Sequence, residues 1–595
     1  METRTPYDAF LHDTHTILSW MATPVGITCL GFLGILSHRF YFIRGEHHMQ
    51  APLYIAMWVL ATALISTLSW LVDHGFEYYG PRETGISAIL RITAVLNCAF
   101  FFPLFTSVAV YRLSEHPLRG FPGPRLAAVS KLWHVYHMLR AKNYILLEDL
   151  QTRYGNIVRT GPQELTIIHP DILGVIGGHG TPCIKAPVYD IQRPLVSLNT
   201  IRTKQGYASR RKRWDDALGL STSYIPDKER RVRHFATLLI QQLQASSGCP
   251  INMTTWFSHF AFDVMTDLAF GRSFDLAQNL DPTSKLHHAP ALLSRGINLL
   301  RFFMPAPWIG ILCVKAAPYV PVISREWNNA QKWAADMCDV RLEQGKEADG
   351  EHRQDAFSRF TTSARRDKDE DSLDRLALYG DAFTFAIAGS HTTAAVLTML
   401  FYELARRPEL QGRARREAVE AGLTATVRED QNMMEMNDVV VAWDKLPLLD
   451  GCINESLRLY PVLPTAGLRQ TVDKPVKVGE TLIPPQTIIV APRWLIGRLE
   501  SAFEQALDFI PERWTTKPHM VKNPVAFSPF ANGRHTCPGK QLGLLEVRMA
   551  AAMILVNFEF SLDPGLENQT RVVDQLEDAF TANPGKLEII FESLN

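Results

Sequence analysis

The run Phe530-Ala-Asn-Gly533-Arg-His535-Thr-Cys537-Pro-Gly539-Lys540 places one cysteine in a glycine-bracketed loop, directly before an apolar helical stretch from Leu542 to Leu555. A thiolate in such a loop is a concentrated negative charge with little access to water, so backbone N–H groups must point at the sulfur. Gly533 and Gly539 read as turn residues around Cys537, because glycine takes φ > 0 at little steric cost. The helix starting near Gly539 is expected to aim its N-terminal amides at the sulfur, where negative charge is favoured. Phe530 is placed to shield the sulfur side from water. A buried free cysteine is also, more simply, a small hydrophobic residue, so the loop has to be read in context.

Three further segments supply that context. Glu455-Ser-Leu-Arg458 has an i, i+3 spacing that puts both charges on one helix face; in isolation this reads as a surface ion pair of little worth. Arg513 follows in Phe509-Ile-Pro-Glu512-Arg513-Trp514. Ala388-Gly389-Ser390-His391-Thr392-Thr393 interrupts an uncharged run from Ala382 to Tyr402. That length suits a membrane span, but the polar cluster at its middle is expensive in lipid. The expectation is a long buried helix crossing a domain core.

Together these segments resemble the cytochrome P450 family, in family order, from about Leu118 to the C-terminus. Phe530, Gly533, Cys537 and Gly539 match its haem loop; His535 stands where arginine is usual. The resemblance implies haem b (heme b) with Cys537 as the axial thiolate ligand to iron. Such a ligand pushes electron density toward O–O cleavage. It also implies a buried structural lock of Glu455, Arg458 and Arg513. Thr392 aligns with the threonine that passes protons to dioxygen, and His391 replaces the acid before it. Histidine can give and regain protons near neutral pH, though a lone buried histidine is equally a core residue. Gly389 is expected to allow close approach of backbone to the ligand side. Tyr207-Ala-Ser-Arg210-Arg211-Lys-Arg213-Trp214 resembles the helix covering the haem propionates, with Trp214 and Arg211 (or Arg210) as partners; a solvated basic face is the plainer reading. Arg469 and His535 are further implied propionate contacts.

The chain has 595 residues, 46% of them hydrophobic, and a formal charge of zero, so nothing suggests nucleic acid. Its eight cysteines include no C-x-x-C, which argues against a disulfide framework or a zinc site. Residues 1–111 hold uncharged runs at 17–37, 52–72 and 92–111, each about the roughly 20 residues that span a bilayer. The expected architecture is an anchor of one to three transmembrane helices, a Pro/Gly-rich hinge at 112–130 and a mainly α catalytic domain with a small β region at 131–595. Arginines after runs one and three put those segments on the cytosolic side under the positive-inside rule, at the endoplasmic reticulum.

The resemblance implies a monooxygenase that inserts one oxygen atom from O2 into a lipophilic small molecule of fungal secondary-metabolite type. Electrons would come from NADPH through a separate NADPH–cytochrome P450 reductase, since no G-x-G-x-x-G unit is evident. A haem-thiolate isomerase or dehydratase that does not use O2, and a non-catalytic membrane haem-binding protein, are the alternatives.

Overall fold

The structure is a computed structural model that describes residues 6–76, 86–218, 225–276, 278, 288–316, 321–347, 355–360, 375–423 and 445–594. The sequence between the second and third apolar runs, at 77–85, and most of the charged stretch 346–374 lie outside these.

Three N-terminal helices are long and apolar enough to cross a membrane: Pro24–Phe42, His48–Val72 and Ile89–Glu115. The first predicted run is divided. Residues 17–21 end a separate helix, Pro6–Met21, and a new one starts at Pro24, where Thr23 accepts the Gly26 N–H at 3.2 Å. Proline at the first helical position lacks only an N–H that would have no partner there. The first and third spans pack closely because Gly34 has no side chain; a Cβ there would lie 2.4 Å from the Phe100 carbonyl oxygen. Polar groups inside the bundle meet one another. Trp58 donates to Asn97 Oδ1 at 2.7 Å, Ser66 meets Thr93 at 3.2 Å, and His38 meets Ser107 at 2.8 Å.

Residues 112–130, read as a Pro/Gly-rich hinge, are bonded to the domain that follows. Leu118 is fully buried, and the Arg159 N–H donates to the Pro122 carbonyl at 2.7 Å. Arg112 donates to the Val129 carbonyl, and its own carbonyl accepts from Arg159 at 2.8 Å. The linker is stitched to the first strand, so the spans join the catalytic domain rigidly.

The domain after the linker is mainly helical. Its largest sheet has five short strands in the order 157–161, 164–167, 488–490, 469–470 and 184–185. The first two form a hairpin that suits their β-branched residues and Gly-Pro punctuation, with Ile157 opposite Ile167. The central helix is Arg375–Ala405, and 67% of its most apolar window is buried, against 11–22% in the three N-terminal spans. That contrast makes it a core helix. It packs chiefly on Met253–Phe270, with Phe401 against Phe257 at 5.0 Å. Gly389 faces this neighbour, not the interior space: a Cβ there would meet the Met265 side chain at 2.3 Å. Its lack of a side chain leaves room there for the Met265 side chain.

Candidate active site

Cys537 lies in the turn before the helix Lys540–Asn557. Its N–H donates to the Phe530 carbonyl at 2.8 Å, which closes the loop. The side chain is accessible, yet it is surrounded by enough protein that burial raises its thiol above the usual range. The Gly539 N–H and the charge of Arg211 pull the other way, toward thiolate. Gly533 has φ +60°, and a Cβ there would lie 2.4 Å from the Gly177 carbonyl oxygen, so both conformation and space demand glycine. Gly539 differs from the expectation. Its φ is −85°, open to any residue, and its part in the loop is the amide it turns to the sulfur. The Phe530 ring lies beside Lys540 Nζ, at 5.8 Å.

Glu455, Arg458 and Arg513 meet with fully buried side chains. Arg458 grips Glu455 through two bonds, Nη2–Oε1 at 2.7 Å and Nε–Oε2 at 3.0 Å, and Arg513 donates to Oε1 at 2.9 Å. Trp514, which sequence reasoning passed over, donates its indole N–H to Oε2 at 2.8 Å. The surplus positive charge is spread over carbonyls. Arg458 reaches those of Gly497, Ala506 and Asp508, and Arg513 reaches those of Glu504 and Gln505.

A second cluster gathers beside the cysteine loop. Arg211 donates to the Thr536 carbonyl, next to Cys537, and pairs with Asp215 at 2.9 Å. Arg210 turns away to Asp381 of the central helix, at 2.8 Å. Of the two arginines, Arg211 is the one bonded to the cysteine loop. Trp214 goes with Arg210: its ring lies against Phe360 and Phe385, and its N–H is near Asp381 without a well-aligned bond. His535 packs edge-on to Tyr207, with centroids 4.6 Å apart. Burial first, then the charges of Arg469, Lys185, Arg534 and Arg211, hold His535 down at about 3, so it is neutral.

Lys185 was missed by sequence reasoning. It sits on a two-residue strand whose register places it opposite Arg469, and no motif marks it. Burial, with the charge of Arg469, lowers its ammonium well below the usual range. Its Nζ donates to the Leu198 carbonyl at 2.8 Å and lies 4.7 Å from the centre of the Tyr207 ring.

Like charges facing across a strand pair are unfavourable, and buried cations without counter-charge more so. Among the described residues, the only carboxylate bonded to Lys185, Arg211, Arg469 or Arg534 is Asp215. Arg469 Nε and His535 Nδ1 are buried without a hydrogen-bond partner. This cradle fits a ligand that carries carboxylates, as haem does with its two propionates.

The remaining residues singled out in the sequence lie on the central helix. Ala388 is exposed and Thr392, one turn on, is half-buried on the same face. Thr392 Oγ1 donates to the Ala388 carbonyl at 2.6 Å, which leaves its lone pairs free to accept. Bonds of this i−4 type bend helices slightly. Among the described residues no protein group is hydrogen-bonded to His391, and burial alone lowers it to about 4.

A thiol at a helix start, a cationic cradle beside its loop and a polar cluster in a long buried helix are the arrangement that a haem-thiolate site needs. Comparison with known proteins agrees. The family model for cytochrome P450 matches residues 122–591. The cytochrome P450 monooxygenase FCK2 of Fusarium pseudograminearum is 34% identical over 96% of this chain and 98% of its own length. The cytochrome P450 monooxygenase notG' of Aspergillus versicolor is 32% identical over 94% and 96%, and the tryprostatin B 6-hydroxylase of Neosartorya fischeri 31% over 94% and 97%. The chain therefore belongs to the cytochrome P450 family and is an oxidoreductase of the monooxygenase type. The family uses haem held by a cysteine thiolate, with electrons from a redox partner and lipophilic substrates.

Proposed function

We propose that this enzyme inserts one oxygen atom into a lipophilic secondary metabolite (a terpenoid, polyketide or alkaloid), using NADPH through a separate reductase. One observation carries the reading: the buried cationic cradle stands beside a cysteine loop whose sulfur receives an amide N–H. The name of the tryprostatin B 6-hydroxylase supports hydroxylation as the reaction. When bound, haem supplies the activation of dioxygen. Cys537 would hold the iron, while Arg211, Arg469, His535 and Lys185 would receive the propionates.

Thr392 is placed to pass a proton at its Oγ1, since the hydroxyl is fixed to the Ala388 carbonyl and keeps an acceptor side open. Neutral His391 sits next to it as a partner for water. The Thr392→Ala variant is expected to keep the spectrum of the loaded enzyme but to lose on the order of 10²-fold in product formation, the scale of a lost proton-transfer group. The assay is NADPH-dependent O2 consumption with reductase and a lipophilic substrate. Turnover without NADPH or O2 would instead support an isomerase or dehydratase.

His391 also has a pH signature. A free histidine titrates near 6.5, whereas burial holds His391 at about 4. Between these values the unfolded chain binds a proton that the folded chain refuses. Stability therefore falls as pH drops from about 6.5 to about 4, and levels off below. His391→Gln is expected to flatten that slope, measured as the urea midpoint against pH; an unchanged slope would refute it.

We further infer a multi-pass topology at the endoplasmic reticulum, with the catalytic domain in the cytosol. Residues 43–50 and the segment after Tyr111 both lie against the catalytic domain, which supports one common side for them. Protease protection of tagged loops in microsomes tests it.

A further inference from the structure

The short loop between the first two spans carries Glu46 and His48, and both reach into the catalytic domain. Arg202 donates to both oxygens of Glu46, at 2.7 and 2.8 Å, and to Asp190 Oδ2 at 2.7 Å. His48 Nε2 meets the same Asp190 oxygen at 3.1 Å. Arg202 is only 14% exposed and Asp190 7%, against 34% for Glu46, so water screens the inner pair weakly and the outer pair more. A bidentate, partly buried arginine pair within such a network is worth more than an isolated surface pair. The ligand atoms of Glu46, His48 and Asp190 lie within 4.8 Å of one another. That spacing would suit a metal ion, but Arg202 already bonds both carboxylates, so the guanidinium is the cation of this cluster.

The loop is stiff in itself. His47 bonds the Tyr54 hydroxyl at 2.8 Å and the Arg44 carbonyl at 2.7 Å, and Tyr41 bonds Tyr54 at 2.9 Å. The helix Pro307–Ala316 packs on His48–Gln50, on the second span and on Pro187–Gln192, so the same corner is braced apolarly. On its inner side Arg202 donates to the Lys185 carbonyl at 2.9 Å and to Gln470 at 3.2 Å. These residues lie on the two strands that present Lys185 and Arg469 to the cradle.

We propose that loop 43–50 is an intramolecular docking arm. Glu46 and His48 clamp Arg202 and Asp190, fix the pitch of the catalytic domain on the bilayer, and brace from outside the strands of the cationic cradle. The clamp rests on the membrane reading above. Nothing in it requires the haem assignment.

The test uses the full chain in lipid nanodiscs, read by hydrogen exchange and mass spectrometry. In the wild type the amides of 44–50 and of 187–202 are expected to exchange slowly. In Glu46→Ala/His48→Ala both segments accelerate together, by about tenfold or more, while the carbon-monoxide difference spectrum keeps its shape. Glu46→Asp, which retains the charge, lies between. Acceleration confined to 44–50, with 187–202 unchanged, overturns the clamp, as does fast exchange of both segments in the wild type. Alkaline carbonate extraction run in parallel reports on the spans separately: release of the chain refutes the membrane reading, and retention with unchanged exchange at 187–202 refutes the clamp alone.

Discussion

Cys537→Ser is expected to abolish the thiolate-type carbon-monoxide difference band of the reduced protein, and monooxygenase activity with it. Serine is close in size, and its backbone can keep the bond to the Phe530 carbonyl and the approach of the Gly539 amide. What is lost is charge. A hydroxyl stays protonated where a thiol, though raised by burial, can be drawn to thiolate by an amide, by Arg211 and by a metal. The change removes electron donation to the iron and leaves the loop in place. Cys183→Ser is the control: that thiol is buried, raised by desolvation, and bonded to Thr181, so its replacement should leave the band intact. An unaltered band in Cys537→Ser would overturn the assignment of the ligand.

Glu455→Ala is the second large effect, and it acts on folding. Arg458 and Arg513 would be left fully buried with carbonyls but no anion, and Trp514 would lose its acceptor. Breaking one member of a buried charge group costs about 3–5 kcal/mol, a large part of the roughly 5–15 kcal/mol that holds a typical protein folded. The expected result is aggregation or a soluble fraction without haem, measured by yield and by the ratio of haem to protein. Glu455→Gln, which keeps two bonds and the shape, should fall less far. A soluble Glu455→Ala protein with a normal haem content would show that the lock is not required.

The relation of sequence to site follows from range along the chain. Short motifs were recognisable: the cysteine loop, Glu455 with Arg458 and the polar cluster at Ser390 to Thr393 through their resemblance to the family, and the apolar runs of the anchor through their length and composition. The glycines show the limit. Gly533 was legible as a turn glycine, whereas Gly389 answers to Met265, 124 positions away along the chain, and Gly539 serves through its amide.

Folding alone settled which cations share a space. Lys185 and Arg469 are brought opposite each other by strand register, and Arg211 and Arg210 part because consecutive residues on a helix point in different directions. The segment after the first run was read only for its side of the membrane, and the folded domain gives Glu46 and His48 their partners. Local propensity and hydrophobic pattern are written residue by residue, so the chain alone declared its membrane-length apolar helices and its central helix, and its resemblance to the family marked Cys537 as the candidate ligand. Long-range charge pairing depends on which surfaces pack together, and only the folded molecule brings those surfaces into contact.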